Sequence, residues 1–99
     1  MKNKEITIKY YTDVYYGLDE TKFELDTMLV YGMPFRFDFM QEIHKIPFSY
    51  YDFPHHNKLD DLPTKKCWIV NAEYGNEVEA IVRKHFPDIS ITVLDLRKK

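Results

Sequence analysis

The pattern of apolar and polar positions predicts a long first strand over residues 5–16. Apolar residues recur at every second position from Ile6 to Tyr10 and again at Val14 and Tyr16, while Thr12 interrupts the series. Period-two alternation is typical of a strand with one buried face. Gly17 ends the pattern.

The apolar positions of residues 20–31 fit both the period of a helix and that of a strand. Thr21 and Glu24 have the spacing of a helical capping box, with Asp19 as an alternative N-cap, and Leu25, Met28 and Leu29 follow at i, i+3 and i+4. Gly32 and Pro34 then form a helix stop. The stop favours a helix here, although the same segment also alternates as a strand would.

The next segments predict a strand, a long loop and a second strand. Phe35, Phe37 and Phe39 alternate with polar or flexible residues, which indicates a strand reaching about Ile43. Residues 44–65 show no clean period and contain three prolines, with a short strand at 48–51 as an option. Loops of this length are uncommon in small domains and tend to be functional. Residues 67–72 form a compact apolar run, typical of a central strand.

The C-terminal third predicts a helix followed by a strand. Asn76 is a good N-cap, the stripe of Val78, Ile81, Val82 and Phe86 follows at helical spacing, and Pro87 ends the helix. Residues 89–96 alternate again, and 97–99 form a basic tail.

The resulting order, strand–helix–strand–loop–strand–helix–strand, predicts a single α+β domain over residues 1–99. It is the ferredoxin-like βαββαβ order, in which two helices cover one face of a four-stranded antiparallel sheet. The long loop lies between strands 2 and 3. The other sheet face is then open, unless the loop folds over it.

Composition and charge exclude several classes of protein. Among 99 residues, 16% are aromatic, enough to build a substantial core, and the single cysteine excludes a disulfide framework. The sequence shows no secretory signal and no apolar run of about 18 residues, so a cytoplasmic protein without a membrane span is expected. Residues 13–61 carry ten acidic and four basic residues, a net charge of −6 that argues against nucleic-acid binding.

Candidate chemistry is sparse. The glycines are too far apart for a phosphate-binding loop, and no catalytic constellation or cofactor motif is visible. His44 and His85 have the right chemistry for acid–base catalysis but fit ordinary polar and helix-terminal positions. A metal site is the alternative in the long loop, where imidazole and carboxylate ligands gather: His55, His56, Asp60 and Asp61. Cys67 precedes an apolar run and is expected to be a buried, inert thiol.

The leading hypothesis is a non-catalytic protein-binding module with an aromatic surface. Tyrosine supplies interface area at low entropic cost. The expected surface comprises Tyr11, Tyr15, Arg36, Tyr50, Tyr51 and Phe53. Its partner would be another protein or a second copy of the chain. The size and the acidic middle suit a regulatory or inhibitor protein of bacterial or phage type.

Two further hypotheses remain at this point. The first is a small enzyme or metal-binding protein that uses the histidine and aspartate residues of the loop at 55–61. The second is a single-strand nucleic-acid binder that uses the open sheet face, although the Lys/Arg-Gly-aromatic signature of RNA-recognition domains is missing at residues 66–70.

Overall fold

The computed structural model describes residues 5–54, 63 and 65–97. These residues form a five-stranded sheet and two helices. The elements in chain order are β1 (Glu5–Tyr16), β2 (Lys22–Tyr31), α1 (Phe37–Ile43), β3 (Tyr50–Asp52), β4 (Cys67–Asn71), α2 (Gly75–His85) and β5 (Ser90–Asp95). A short 3-10 turn, Ala72–Tyr74, leads into α2.

The segment predicted as the first helix is a strand, so that prediction is wrong. β1 and β2 form an antiparallel hairpin in register from Thr7 opposite Tyr31 to Tyr16 opposite Lys22. The hairpin turn closes when the amide of Gly17 donates to the carbonyl of Thr21 at 2.8 Å. Asp19 accepts a hydrogen bond from the Thr21 amide within this turn and does not cap a helix. The segment forms a strand because β1 pairs with it along its whole length. A helix of this length is only marginally stable without such support.

Gly32 ends β2 for a steric reason. Its φ is +99°, and a Cβ at this position would clash with the carbonyl oxygen of Glu5. The residue signals a chain turn, as the sequence suggested, but the turn follows a strand.

The segment predicted as the second strand is the helix α1, a second error. Phe39 and Ile43 lie one helical turn apart and are both buried, whereas Phe35 and Phe37 are 77% and 59% exposed. The alternation of three phenylalanines therefore does not mark a buried face. α1 packs on α2, and this contact fixes which of its aromatics enter the core.

The second half of the chain follows the prediction more closely. β4 is buried from Cys67 to Val70, α2 and β5 form as expected, and a three-residue strand, β3, lies in the long loop. The predicted cap at Asn76 is wrong: the side chain of Asn71 accepts from the amide of Glu73 at 3.0 Å and caps the 3-10 turn instead.

The sheet order is β3-β4-β2-β1-β5, and β5 pairs with β1 in parallel. The protein is thus an α+β domain with five strands, not four, and the sheet is mixed, not antiparallel. The ferredoxin-like order is not confirmed, because α1 follows the second strand and not the first.

Both faces of the sheet carry a core. The face that packs against α1 and α2 holds the larger cluster: Ile6, Ile8, Tyr10, Met28, Val30, Phe39, Ile43, Ile46, Trp68, Val70, Val78, Val82 and Phe86. A smaller cluster of Tyr11, Leu29, Cys67 and Ile69 occupies the opposite face. In the described residues, neither helix is long and apolar enough to span a membrane.

Candidate functional site

Exposed aromatic side chains concentrate at the β3 end of the sheet. Phe48, Tyr50, Tyr51 and Phe53 are 85%, 38%, 53% and 55% exposed, and they fall within six consecutive residues. We call these four residues the aromatic edge. β3 is the outermost strand on this side of the sheet. Tyr51 lies opposite Trp68 and Tyr50 opposite Ile69, so these two side chains extend from opposite faces of the sheet. Single exposed apolar residues are normal, but four exposed aromatics within one short segment make the rim of this outer strand apolar.

The backbone presents Phe48 in an unusual conformation. Its φ is +64°, in the left-handed region that glycine usually occupies. Phe48 is the third residue of a four-residue turn closed by the Ser49 amide, which donates to the Ile46 carbonyl at 3.2 Å. The Ser49 hydroxyl also donates to the Ile43 carbonyl at 2.9 Å and ties the turn to the end of α1. A type II turn with proline second, as Pro47 is here, normally has glycine or asparagine at this third position.

Tyr51 joins the aromatic edge to the core. Its ring centroid lies 5.2 Å from that of Trp68, which is 6% exposed. Trp68 also contacts His44 edge-on at 5.0 Å and Phe39 at 6.4 Å. Tyr51 therefore packs on a residue that is itself held in the core by His44 and Phe39.

Tyr50 and Phe53 have charged neighbours. Burial raises the pKa of Tyr50, and the negative charges of Asp13 and Asp52 raise it further. The ammonium group of Lys66 lies 6.0 Å from the ring centroid of Phe53. The aromatic edge is therefore flanked by carboxylates near Tyr50 and by a cation near Phe53.

Tyr11 does not belong to this surface, which corrects the sequence prediction. It is fully buried, packs with the small cluster around Leu29 and Cys67, and its hydroxyl donates to Asp13 at 3.5 Å. The reason is its place in β1, a strand flanked by β2 and β5, in the middle of the sheet. The backbone of Tyr15 pairs with Phe23 in the hairpin, while its side chain lies outside the described part of the structure.

Arg36 is exposed but serves the joint between the helices. Its guanidinium donates to the carbonyl of His85 at 3.1 Å, pairs with Asp38 at 3.3 Å, and lies 5.8 Å from the ring centroid of Phe86. Arg36 thus holds the start of α1 against the end of α2. The prediction that Arg36 and Tyr11 share one exposed surface is wrong, because Tyr11 is buried in the sheet.

Of the two candidate acid–base histidines, His85 lies at the joint between α1 and α2. His85 is 9% exposed and lies between two carboxylates, with Nδ1 3.6 Å from Asp38 and Nε2 3.3 Å from Glu42. Glu42 also binds Lys84 at 2.6 Å, and this hydrogen bond, followed by that of His85, lowers the pKa of its carboxyl. The contacts connect α1 to α2.

The metal site predicted at His55, His56, Asp60 and Asp61 lies outside the described residues. Within the described ranges, no group of three or more histidine, cysteine, aspartate or glutamate residues is arranged to hold a metal ion.

Cys67 is buried, as expected for an inert thiol. Burial raises its pKa to about 11, against a smaller opposing effect of Lys65, and its sulfur donates to the Lys65 carbonyl at 3.3 Å. A thiol with a pKa this high has little thiolate at neutral pH and is a poor nucleophile.

An open cleft of about 430 Å³, which no sequence pattern predicted, lies beside β2 and the C-terminal end of β4. It is lined by Glu24, Leu25, Asp26, Asn71, Ala72, Glu73 and Arg97. Arg97 pairs with Asp95 at 2.6 Å and approaches Asp26 at 3.7 Å, so its charge is already balanced. The residues that line the cleft come from three separate segments of the chain, and no sequence motif predicts that these segments lie together.

The surface predicted from the sequence left out Phe48, which is the most exposed member of the aromatic edge although it lies in the same loop. The signal was present as the turn dipeptide Pro47-Phe48, since proline favours the second turn position and thereby places Phe48 in the third.

No protein-family model matches this chain, and the comparisons with curated proteins and with solved structures give no match either.

Proposed function

We propose that this protein is a small, non-catalytic protein-binding module that docks a partner on the aromatic edge. The observation that supports this proposal is the exposure of Phe48, Tyr50, Tyr51 and Phe53 within one short segment. Buried aromatic anchors dominate the affinity of protein interfaces, and tyrosine and phenylalanine lose little rotamer entropy when they become buried.

The strained backbone at Phe48 supports the same proposal. A left-handed conformation costs a non-glycine residue roughly 1–2 kcal/mol, and here the side chain is 85% exposed and gains little packing in return. Strain of this kind clusters at ligand-binding positions, where it holds a side chain ready for contact.

Charge favours a protein over a nucleic acid as the partner. Residues 13–61, which include the whole aromatic edge, carry a net charge of −6. Asp13 and Asp52 lie close enough to Tyr50 to raise its pKa. Such a surface repels phosphate backbones and suits a partner with basic residues around an apolar centre. A regulatory or inhibitory role fits a module that binds without catalysis.

The test is affinity capture from native lysate followed by calorimetric titration of the captured protein. We expect Phe48→Ser and Tyr51→Ser each to weaken binding by about 30-fold, the effect of losing an interface hot spot of about 2 kcal/mol. The matched control is Leu18→Ser at the β1–β2 hairpin tip, where the side chain is fully exposed but distant in sequence. Circular dichroism confirms that each variant is folded.

Equal binding by the wild type and both aromatic variants would overturn the proposal. The same conclusion would follow if Leu18→Ser lost binding to the same extent, because the loss would then not depend on the aromatic edge.

A further inference from the structure

The last residue of α2, His85, is almost fully buried between two carboxylates of α1. Its Nδ1 lies 3.6 Å from an oxygen of Asp38, and its Nε2 lies 3.3 Å from an oxygen of Glu42. Phe39 packs against the ring in a T-shaped contact, with 5.9 Å between the ring centroids. Both nitrogens of a buried imidazole therefore face negatively charged groups.

The charged form of the His85 ring fits this position better than the neutral form. Imidazolium donates from both ring nitrogens, whereas neutral imidazole keeps one donor and presents a lone pair at the other nitrogen. In the neutral form this lone pair would face either Asp38 or Glu42. Histidine is the side chain that changes charge between about pH 5 and 8. A change of pH in this range thus turns one of the two contacts from attraction into repulsion.

Two cations complete the set of charges around the ring. Lys84 donates at 2.6 Å to the same oxygen of Glu42 that faces His85. Arg36 pairs with Asp38 at 3.3 Å and donates to the backbone carbonyl of His85 at 3.1 Å. The hydrogen bonds from these cations lower the pKa of both carboxyls, which stay ionised at neutral pH. Between about pH 5 and 8, His85 is then the group of this cluster whose charge changes.

The C-terminal end of α1 continues directly into the turn that carries Phe48. The carbonyl of Ile43, the last residue of α1, accepts from the Ile46 amide at 3.0 Å and from the Ser49 hydroxyl at 2.9 Å. The Ile46 carbonyl in turn accepts from the Ser49 amide at 3.2 Å. A shift of α1 relative to α2 therefore moves the backbone that sets the direction of Phe48.

Packing gives a second connection between His85 and the aromatic edge. Phe39 contacts both His85 and Trp68, with 6.4 Å between the ring centroids of Phe39 and Trp68. Trp68 in turn contacts Tyr51, with 5.2 Å between their centroids. A continuous series of ring contacts thus joins the histidine to the aromatic edge.

We propose that protonation of His85 is a switch that fixes α1 on α2 and holds the turn of Phe48 in place. α1 has seven residues and no side-chain cap, so its position depends on its contacts with α2. Loss of the proton weakens the hold on one carboxylate of α1, and the turn at residues 46–49 then moves more freely. The inference rests on the proposed function, because the switch regulates binding at the aromatic edge. The partner should bind more tightly at about pH 6 than at about pH 8.

NMR titration of the chain alone tests the switch without a partner. Between about pH 5.5 and 8.5, the amide signals of Phe48 and Ser49 should shift with the same midpoint as the ring protons of His85. His85→Gln keeps a hydrogen-bonding side chain but is uncharged at every pH, so it should abolish these amide shifts. If this variant does not fold, the wild-type midpoints decide alone.

The matched control is His44→Gln, which removes an exposed histidine close to the same turn. The amides of Phe48 and Ser49 should titrate in this variant as they do in the wild type. Amide shifts that disappear in His44→Gln, that persist in His85→Gln, or that have a midpoint different from that of the His85 ring would overturn the proposal.

Calorimetry with the captured partner tests the consequence for binding. The affinity of the wild type should fall about fivefold from about pH 6 to about pH 8, and His85→Gln should lose this pH-dependent fall. If binding requires Phe48 and Tyr51 but has the same pH dependence in the wild type and in His85→Gln, the switch is wrong and the proposed function stands. If binding does not require Phe48 and Tyr51, the proposed function itself is wrong.

Discussion

Among the residues that the structure describes, two that are not glycine have a left-handed backbone conformation: Glu20 with φ of 65° and Phe48 with φ of 64°. Glu20 is the last of the three residues enclosed by the hydrogen bond between Gly17 and Thr21 in the β1–β2 turn, where the common turn has glycine at this position. Glu20 is exposed, and neither residue gains enough packing to offset its backbone cost. Glu20 and Phe48 thus provide a matched pair for separating backbone strain from surface function.

We predict that Glu20→Gly and Phe48→Gly each raise the free energy of unfolding by about 0.5–1 kcal/mol. Glycine relieves left-handed strain of roughly 1–2 kcal/mol but adds about 0.5–1 kcal/mol of unfolded-state entropy. Urea unfolding measures the change, with an unchanged m-value as the check that both variants unfold alike.

Partner binding should distinguish the two variants. Phe48→Gly should lose both its backbone strain and its binding to the partner. Glu20→Gly should lose its strain but bind the partner as the wild type does. A stabilised Phe48→Gly that still binds as tightly as the wild type would show that the strain has no connection with the interface.

At the scale of elements, the joint between α1 and α2 depends on carboxylates. Glu42 binds Lys84 and His85 of α2, and the hydrogen bond from Lys84 lowers the pKa of its carboxyl. The hydrogen bond from Arg36 lowers the pKa of Asp38 in the same way. α1 has only seven residues and lacks a side-chain cap, so it relies on these contacts and on its buried aromatic and aliphatic residues.

Acid should therefore loosen this joint. A carboxyl whose folded pKa is depressed stabilises the fold above its unfolded pKa of about 4.3, and this contribution is lost as the pH falls through the lower folded value. Thermal unfolding between pH 6 and about pH 3 should show a smaller acid-induced loss of stability in Glu42→Gln than in the wild type, because the variant lacks the titrating group.

Glu24→Gln, which removes an exposed carboxylate on β2, is the control for this experiment. It should retain the acid-induced loss of the wild type. If Glu42→Gln and Glu24→Gln gave the same profile, the ion pairs between α1 and α2 would not contribute to the pH dependence of stability.

At the scale of the whole molecule, stability should be highest along β1, β2 and β4. β1 and β2 pair over ten positions, β2 also pairs with β4, and each face of these strands carries a buried cluster. β3 has three residues, all exposed, and pairs with β4 alone. Local opening is easiest where few contacts must break.

Amide hydrogen exchange should follow this order, with the slowest exchange at the β1–β2 and β2–β4 pairs and the fastest strand exchange in β3. Uniform exchange across β1 and β3 would contradict the assignment of stability to the centre of the sheet.

The sequence by itself determined the strands and helix whose patterns fit one period only. β1 alternates without a helical option, β4 is a short apolar run, and α2 combines a clean apolar stripe with Pro87 as its stop. The exposed aromatics Tyr50, Tyr51 and Phe53 were also predictable, because they fall in a segment without a core period.

Only the tertiary structure decided the segments that fit two periods. Leu25 and Leu29 suit both a helix and a strand, and the long partner strand β1 selects the strand. Phe35, Phe37 and Phe39 alternate like a strand, yet packing on α2 selects a helix that buries Phe39 with Ile43 and leaves Phe35 and Phe37 exposed. Tyr11 was predicted to be exposed and is buried. Periodicity shows that the two faces of a strand differ, but the packing of neighbouring strands decides whether each face is exposed to water.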